Sequence, residues 1–501
     1  MSTIRRQSII SSFVVYFGFA LGFLNTYLFT RQGGLTKEQF GLTNTFIAIA
    51  NIMFSVACLG MPAFVGKFFP YYKSHLDNKK NDQLTIALFF SCLGFLLVTL
   101  VGLATKHMLI DVIFKNSPEL PKYFYWTFIF GFGFTLYMLM EAYAWQQRQA
   151  VMSNFLKEVL FRTFTTILIV LTTLQVIKSF DVFIGIYSFT YLAIALVMFI
   201  FFFKRNELHF TFTISNVTRK FRKKILQLAG YVWAASLLFN IASVFDTIVI
   251  AAVMPNGMAA AGVYALAQNI SSLIQAPQRA IISSAVGPLS HAWKEKDYSK
   301  IDRIYHRSSI NQLVFSCAMF SLIWLNFDDG ISTFHLQEGY RAAKWVFFFI
   351  GMAKIIDMGT GLNSQIIGTS TYFRFEFTSG MILLALTLPL NWQLTRMFGI
   401  IGPAYSNLIS FTVFNIIRYW FLFKRFKMQP FTMKSVYTLV LGAVTYFISY
   451  WLFNDKSGFG WIVLRSTVFV IIYATGMFSL RLTPDAIPVL ITLKKKLGFK
   501  S

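Results

Sequence analysis

The chain has few charged residues, and acids are the scarcer kind. Only 13% of its 501 residues are Asp, Glu, Lys or Arg, against about a quarter in ordinary soluble domains. There are 20 acids against 45 Lys and Arg, while 56% of the residues are hydrophobic and the mean hydropathy is +0.59. This composition excludes an ordinary soluble protein and predicts one that lies in a membrane.

Cysteine and histidine are also scarce. Cys58, Cys92 and Cys317 all fall in apolar stretches, so we predict small buried side chains and neither a disulfide framework nor a metal site. The 6 His residues have no metal-ligand spacing, and no glycine-rich phosphate loop is present. We therefore predict no cofactor and no direct use of ATP.

Long apolar runs are what the chain has in abundance. A hydrocarbon core about 30 Å thick needs about 20 apolar residues per helix. The first run follows a basic start, as in a signal peptide, but it is long enough to span the membrane. The sequence therefore predicts an all-α polytopic membrane protein with about 14 transmembrane helices and no room for a soluble catalytic domain. The predicted spans are 8–30, 40–62, 83–105, 123–145, 155–177, 182–203, 229–254, 259–285, 308–327, 343–366, 377–398, 400–423, 435–453 and 460–480.

The loops between these spans alternate between basic and nearly neutral. With a cytoplasmic N-terminus, the cytoplasmic side, counted as the loops and the adjoining span ends, holds 30 of the 45 basic residues, the opposite side 10 and the interior of the spans 5. The cytoplasmic side holds 8 of the acids, the opposite side 8 and the interior of the spans 4. The net charge is therefore +22 on the cytoplasmic side, +2 on the opposite side and +1 within the spans. The positive-inside rule then predicts that both termini are cytoplasmic. The total charge of +25 is spread over many loops and does not indicate nucleic acid as a partner.

The chain also contains a weak internal repeat. In each copy a glycine near a helix start, Gly41 or Gly262, precedes a proline that breaks the helix, Pro62 or Pro277. Transporters with two lobes arise from such repeats. The longest basic linker follows the sixth span. We therefore predict an N-terminal lobe over 1–215, a C-terminal lobe over 216–430, and helices 13 and 14 with a basic cytoplasmic tail over 431–501.

Three stretches carry a family resemblance: TKEQFGLTNTFIAIANIMFSVACLGMPAFVGKFFPYY, FDTIVIAAVMPNGMAAAGVYALAQNISSLIQAPQRAI and IIGTSTYFRFEFTSGMILLALTLPLNWQLTRMFGIIGPAYSNLIS. In order and spacing the chain resembles the polysaccharide (O-antigen, Wzx-type) flippases of the MATE/MOP transporter superfamily. The resemblance implies two pseudo-symmetric six-helix lobes around a central cavity, plus two C-terminal helices. It also implies that a lipid-linked oligosaccharide, such as an undecaprenyl-pyrophosphate-linked repeat unit, moves to the outer leaflet of the cytoplasmic (inner) membrane.

The partners implied by the resemblance are the lipid-linked oligosaccharide and membrane lipids, with the polysaccharide polymerase machinery as a further candidate. Two other transport functions stay open on the same fold: a cation-coupled drug antiporter and a peptidoglycan-precursor flippase. A membrane enzyme is a third alternative. It would need a group such as Asp328, Asp329, His335 and Glu338 in one outer loop, and that segment also has the character of an ordinary solvated turn.

A few charges fall inside the predicted spans. A charged side chain at mid-bilayer costs about 2.5–3.5 kcal/mol on insertion scales, so it should face a cavity or a partner. Asp246, Lys354 and Asp357 are the deepest. Lys354 and Asp357 are three residues apart on one helix, so they share a face and could neutralise each other.

A second group of charges lies nearer the helix ends: Glu141, Glu158, Arg162, Arg279, Arg418 and Arg465. Glu158 and Arg162 are four residues apart and should pair. For Arg418 and Arg465 we predict side chains that extend to the membrane interface.

We predict that Lys354, Arg279 and Arg162 bind the diphosphate through charge-assisted hydrogen bonds. Asn240, Gln268 and Asn269 are candidates for the glycan hydroxyls, although amides in spans also serve as hydrogen bonds between helices. Asp246, Asp357 and Glu141 are candidates for coupling a cation or for pairing with basic side chains. Other amides within spans are Gln275, Asn363, Gln365 and Asn407.

Overall fold

The chain is helical throughout the part that the computed structural model describes, residues 3–485. Side chains are described from residue 14 to 485, apart from positions 78, 235, 279, 280, 283, 284 and 373. No strand occurs within residues 3–485. The outermost residues 1–2 and 486–501 lie outside this part, so the cytoplasmic placement of both termini stays a prediction.

The structure divides into two compact units, Met1–Ala265 and Leu266–Ser501, called unit 1 and unit 2 below. The helices that lie in unit 1 are α1 Thr3–Thr30, α2 Lys37–Ala57, α3 Met61–His75, α4 Gln83–Ala104, α5 Glu119–Gln146, α6 Ala150–Asn154, α7 Phe161–Thr173, α8 Phe180–Ser188, α9 Thr190–Lys204, α10 Asn216–Val253 and most of α11 Gly257–Ser271. Two π-helical turns, Met108–Ile113 and Phe155–Leu160, and a 3₁₀ turn, Asn78–Lys80, complete unit 1.

Unit 2 holds the remaining helices. These are α12 Gln278–Glu295, α13 Tyr298–Thr333, α14 Ala343–Gly359, α15 Asn363–Thr369, α16 Phe373–Phe398, α17 Gly402–Phe426, α18 Met433–Leu452 and α19 Phe459–Ser479. Short 3₁₀ turns lie at Ser272–Gln275, Glu338–Ala342 and Gly399–Ile401.

The helices follow the predicted apolar runs closely, but several runs are interrupted. Within residues 3–485, nine helical segments are long and apolar enough to cross a membrane, or ten if the bent pair of α14 and α15 is one span. That pair bends by 47°. One of the nine segments, Arg374–Phe426, contains both α16 and α17. The all-α polytopic class is confirmed, and the count of fourteen spans stays a prediction.

Both predicted proline breaks are present. Gly60 has a φ of 75°, a left-handed conformation that glycine adopts without strain, and it ends the turn between α2 and α3. Pro62 lies in the first turn of α3, where a missing N–H costs nothing. Pro277 lies immediately before the first residue of α12. The predicted span 259–285 is therefore two helices with a 3₁₀ turn between them.

The first compact unit reaches beyond the predicted first lobe. Its additional segment, residues 216–265, includes α10, which packs on α2 and α3. The predicted lobes 1–215, 216–430 and 431–501 were drawn from helix number and loop charge, and they stay a prediction.

Burial is predicted for all three cysteine side chains, and it is found for two of them. Cys58 and Cys317 are buried. Cys92 is exposed, so its predicted burial is wrong. It lies on α4, only 22% of whose most apolar stretch is buried. Most of α4 is therefore available for contact with lipid, and an apolar run alone does not distinguish lipid contact from a protein core.

Candidate functional site

A polar network in unit 2 surrounds the two deep charges of α14. The Lys354 Nζ donates a hydrogen bond to Gln275 Oε1 at 2.5 Å, and Gln278 Nε2 donates one to Asp357 Oδ2 at 3.1 Å. The two glutamines are three residues apart, on either side of Pro277, and the two charges have the same spacing. The break before α12 therefore presents two amides in register with the two charges.

The network continues from Asp357 into α15 and α17. Asn415 Nδ2 donates to Asp357 Oδ1 at 3.3 Å. Asn415 Oδ1 in turn accepts hydrogen bonds from Thr360 Oγ1 at 2.7 Å and from Asn363 Nδ2 at 2.8 Å. Asn363 and Asn415 are buried, whereas Lys354 and Asp357 are half-buried. We call these seven residues, Gln275, Gln278, Lys354, Asp357, Thr360, Asn363 and Asn415, the α14 network.

The ion pairs of the described residues do not include one between Lys354 and Asp357. Instead, each charge has a hydrogen bond to its own glutamine. An amide offers both an acceptor and two donors, so Gln275 and Gln278 can satisfy charges of opposite sign. The arrangement keeps an ammonium and a carboxylate on one helix face, each with an amide partner.

The third deep charge, Asp246, lies in unit 1. Its side chain is buried on α10 and accepts a hydrogen bond from the Tyr264 hydroxyl of α11 at 2.7 Å. Tyr264 is fully buried. The contact joins the last part of α10 to α11 within unit 1.

The second group of charges forms two ion pairs in unit 1. Arg162 Nη2 lies 2.7 Å from Glu158 Oε2, which confirms the predicted pair. Lys157 Nζ lies 3.6 Å from the buried Glu141 Oε2. Lys157 and Glu158 belong to the π-helical turn Phe155–Leu160, and such turns are frequent at functional sites.

Arg162 also forms hydrogen bonds with residues of α1. Its Nη1 donates to the backbone oxygen of Gly18 at 2.6 Å, and Asn25 Nδ2 donates to the Arg162 backbone oxygen at 2.9 Å. A Cβ at Gly22 would overlap the guanidinium. These contacts join α1 to the π-helical turn and α7, so Arg162 has a packing role whatever else it binds.

The predictions for Arg418 and Arg465 are wrong, because neither side chain extends to the interface. Arg418 is 4% exposed and forms an ion pair with Glu376, with a further hydrogen bond to Ser379 Oγ at 3.2 Å. Arg465 is also 4% exposed and pairs with Asp329. Each arginine is buried against a carboxylate of another helix, which a single span could not reveal.

The acidic group of Asp328, Asp329 and Glu338 does not converge on a site. Asp328 pairs with Lys344, Asp329 with Arg465 and Glu338 with Arg341. Each carboxylate therefore has its own basic partner. Among the described residues, no group of three or more His, Cys, Asp or Glu side chains could hold a metal ion.

The remaining predicted binding residues are placed as follows. Asn240, Gln268 and Asn269 are half-buried, on α10 and α11. The backbone oxygens of Asn240 and Asn269 accept hydrogen bonds from Ser243 and Ser272. Arg279 belongs to α12, and its side chain lies outside the described part.

Sequence reasoning missed three members of the α14 network: Gln278, Thr360 and Asn415. A signal for Gln278 was present, because Gln275 and Gln278 repeat the three-residue spacing of Lys354 and Asp357. Asn415 lies on α17, 58 residues from Asp357, so no local pattern connects them.

Comparison with solved structures identifies the fold. Over 94% of this chain and 99% of the other, the structure is similar to "Lipid II flippase MurJ, inward closed conformation", with a TM-score of 0.71 and 16% identity. It is similar to the inward-facing conformation of a multidrug resistance MATE family transporter of the MOP superfamily, with a TM-score of 0.60 and 13% identity over 81% and 94% of the chains. A mutant of the Vibrio cholerae MATE transporter VcmN matches with a TM-score of 0.54 and 14% identity, over 85% and 97%. The fold is therefore that of polytopic membrane transporters of this superfamily.

Comparison by sequence identifies the family. No curated protein matches the chain. The family model described as "Polysaccharide biosynthesis protein" matches residues 4–292, which is more than half of the chain. The matched range includes α1 to α11 and most of α12. The chain belongs to the family of polysaccharide biosynthesis proteins.

Proposed function

We propose that the chain translocates a lipid-linked oligosaccharide, an undecaprenyl-pyrophosphate-linked repeat unit, during surface polysaccharide biosynthesis. The direction is from the inner to the outer leaflet of the cytoplasmic membrane. Family membership and the transporter fold support a lipid-linked substrate. The observation that carries the proposal is the Lys354–Gln275 contact beside the Gln278–Asp357 contact, within the helices of unit 2.

The diphosphate is the charged part of the proposed substrate. Its charges lose hydration when the headgroup crosses hydrocarbon, and cationic donors can replace that hydration with short, charge-assisted hydrogen bonds. Lys354 donates a hydrogen bond to the Gln275 side-chain oxygen, and a phosphate oxygen is an acceptor that can take the place of that amide oxygen. Arg279 and Arg162 are proposed as additional cations for the same headgroup.

The sugars need neutral polar groups rather than cations. Side-chain amides both donate and accept hydrogen bonds, which suits hydroxyl groups. We propose Asn240, Gln268 and Asn269 for this role. Asn363 and Asn415 are buried and bonded to each other, so they position Asp357 rather than bind the glycan.

The carboxylates are proposed to couple transport to a cation or to balance the basic side chains. Asp357 has amide partners on two helices, and Asp246 has the Tyr264 hydroxyl. Glu141 has Lys157, which favours charge pairing at that position. The polysaccharide polymerase machinery is proposed as a partner that receives the flipped product.

Two other functions are favoured by fold similarity to MurJ and MATE structures: a peptidoglycan-precursor flippase and a cation-coupled antiporter. The lipid intermediates and the drug resistance of a deletion strain distinguish the three functions. The proposal predicts that undecaprenyl-linked repeat units accumulate on the cytoplasmic leaflet, and that expression of the chain removes them. Accumulated peptidoglycan precursor, or altered drug resistance with normal glycan intermediates, would contradict the proposal and support one of the alternatives.

A further inference from the structure

Unit 1 contains a long apolar groove with a volume of about 600 Å³. We call it the α4 groove. It lies among α2, α4, the π-helical turn Met108–Ile113, α5 and α10. Its volume is within the range of about 300–1,000 Å³ that is usual for small-molecule sites. Leu97 and Val101 on its rim are exposed, so the groove opens on the side of α4 that is available to lipid.

The walls of the α4 groove offer almost nothing to water. Thr105 and Thr127 donate their hydroxyls to the backbone of their own helices, at 2.8 and 2.6 Å. The Trp233 indole donates to the Ser55 backbone oxygen at 2.9 Å. Because these donors are already satisfied, a water molecule there would lack partners, and apolar cavities of this kind stay dry or take up hydrocarbon.

The length of the groove along α4 is about the thickness of one membrane leaflet. Its wall on α4 runs from Gly94 to Thr105, which is about 16 Å at 1.5 Å per residue. Half of a hydrocarbon core is about 15 Å. Gly94 and Gly102 allow α4 to pack closely on its neighbours, since a Cβ at Gly94 would overlap the Ala57 backbone oxygen and one at Gly102 would lie 2.7 Å from the Phe128 ring.

Two lysines are sequence neighbours of residues that line the groove. Lys106 and Lys115 directly follow the lining residues Thr105 and Phe114. The Lys106 Nζ is held 2.9 Å from the Tyr125 hydroxyl and lies above the same ring. The nearby Asp111 is paired with His107. The loop charges predict that the segment with these lysines faces outward.

We propose that the α4 groove binds the isoprenoid chain of the flipped product, with its diphosphate at Lys106 and Lys115 after it has left Lys354. This inference rests on the proposed function. A diphosphate matches two lysines better than the single phosphate of a phospholipid does. Placed in the outer half of unit 1, the groove holds the lipid chain of the flipped product.

The test uses photo-crosslinking in proteoliposomes that contain the full chain. One arm carries a diazirine-bearing undecaprenyl diphosphate, and the other carries a diazirine-bearing phosphatidylglycerol. Labelled peptides are identified by mass spectrometry. The proposal predicts that the isoprenoid probe labels residues 94–114 more strongly than the phospholipid probe does.

Two variants that introduce the same side chain at different places on α4 show whether the label lies inside the groove. Val98→Trp fills the groove, whereas Leu100→Trp adds the same side chain on the exposed face of α4. Val98→Trp should lower labelling about tenfold, the loss expected when two methylenes leave an apolar site, and Leu100→Trp should not. Val98→Phe gives a smaller obstruction if the Trp variant fails to reach the membrane. Lys106→Gln combined with Lys115→Gln should weaken the isoprenoid label and leave phospholipid labelling unchanged.

Equal labelling by both probes, or labelling that survives Val98→Trp, would overturn the groove assignment. Because labelling is measured without transport, those results would leave the proposed flippase function intact. Failure of that function is seen separately, in the lipid intermediates of the deletion strain.

Discussion

Gly41 and Gly262, the two glycines that mark corresponding positions of the internal repeat, contact each other through their backbones. A Cβ at Gly41 would overlap the Met258 backbone oxygen and lie 2.8 Å from the Gly262 nitrogen. A Cβ at Gly262 would overlap the Lys37 backbone oxygen and lie 3.1 Å from the Gly41 nitrogen. The repeat therefore places two small residues at a close backbone contact between α2 and α11, as is common for helices in membranes.

This contact predicts opposite effects for two identical substitutions. Gly41→Ala should destabilise the protein by about 1–3 kcal/mol, because the new methyl forces two backbones apart. Gly230→Ala, in α10 with nothing within 4 Å of the new Cβ, should be neutral or stabilise by up to about 1 kcal/mol. Thermal unfolding of detergent-purified protein measures both, and equal midpoints would contradict the close contact.

The buried arginines predict large losses of stability. Arg465→Gln leaves the partly buried Asp329 without its cation and should cost about 3–5 kcal/mol. The double variant Arg465→Gln with Asp329→Asn should recover part of that loss. The exposed pair of Arg341 and Glu338 is the control, and Arg341→Gln should cost less than about 1 kcal/mol. If both single variants unfold at the same temperature, the burial of Arg465 is wrong.

Tyr264→Phe tests the hydrogen bond to Asp246. It removes one donor from a buried carboxylate without changing the shape of the ring, so it should destabilise by about 1–3 kcal/mol. Tyr437→Phe on the exposed face of α18 is the matched control and should leave the unfolding midpoint unchanged. A Tyr264→Phe protein as stable as the control would show that this hydrogen bond contributes nothing.

Topology is tested by reporter fusions. The charge bias predicts that the segments after α9 and α17 are cytoplasmic and that the segment between α18 and α19 is outside. A periplasm-dependent phosphatase fused after Lys456 should be active, and fusions after His209 and Gln429 should be inactive. The reverse pattern would contradict the predicted orientation.

The sequence predicts local features well, because their causes are local. Pro62 and Pro277 break their helices where expected, and Glu158 meets Arg162 one helical turn away. Contacts between distant segments were not predictable. The partner of Arg465 is 136 residues away and that of Lys354 is 79 residues away. Without those contacts, a buried arginine cannot be distinguished from one that extends to the interface, nor an exposed Cys92 from a buried one.

Lys354 is proposed to bind the diphosphate of the substrate. The most direct measurement is flipping of an undecaprenyl-diphosphate oligosaccharide in proteoliposomes that contain equal amounts of wild-type, Lys354→Gln, Lys354→Arg or Lys344→Gln protein. Lys344 is the matched control, because it lies on the same helix and pairs with Asp328.

The account predicts that Lys354→Gln abolishes flipping at normal membrane abundance, that Lys354→Arg retains part of it, and that Lys344→Gln flips like the wild type. If Lys354→Gln lowers abundance and Asp357→Asn restores it, Lys354 is a structural partner of Asp357. Wild-type flipping by Lys354→Gln at full abundance would contradict the account.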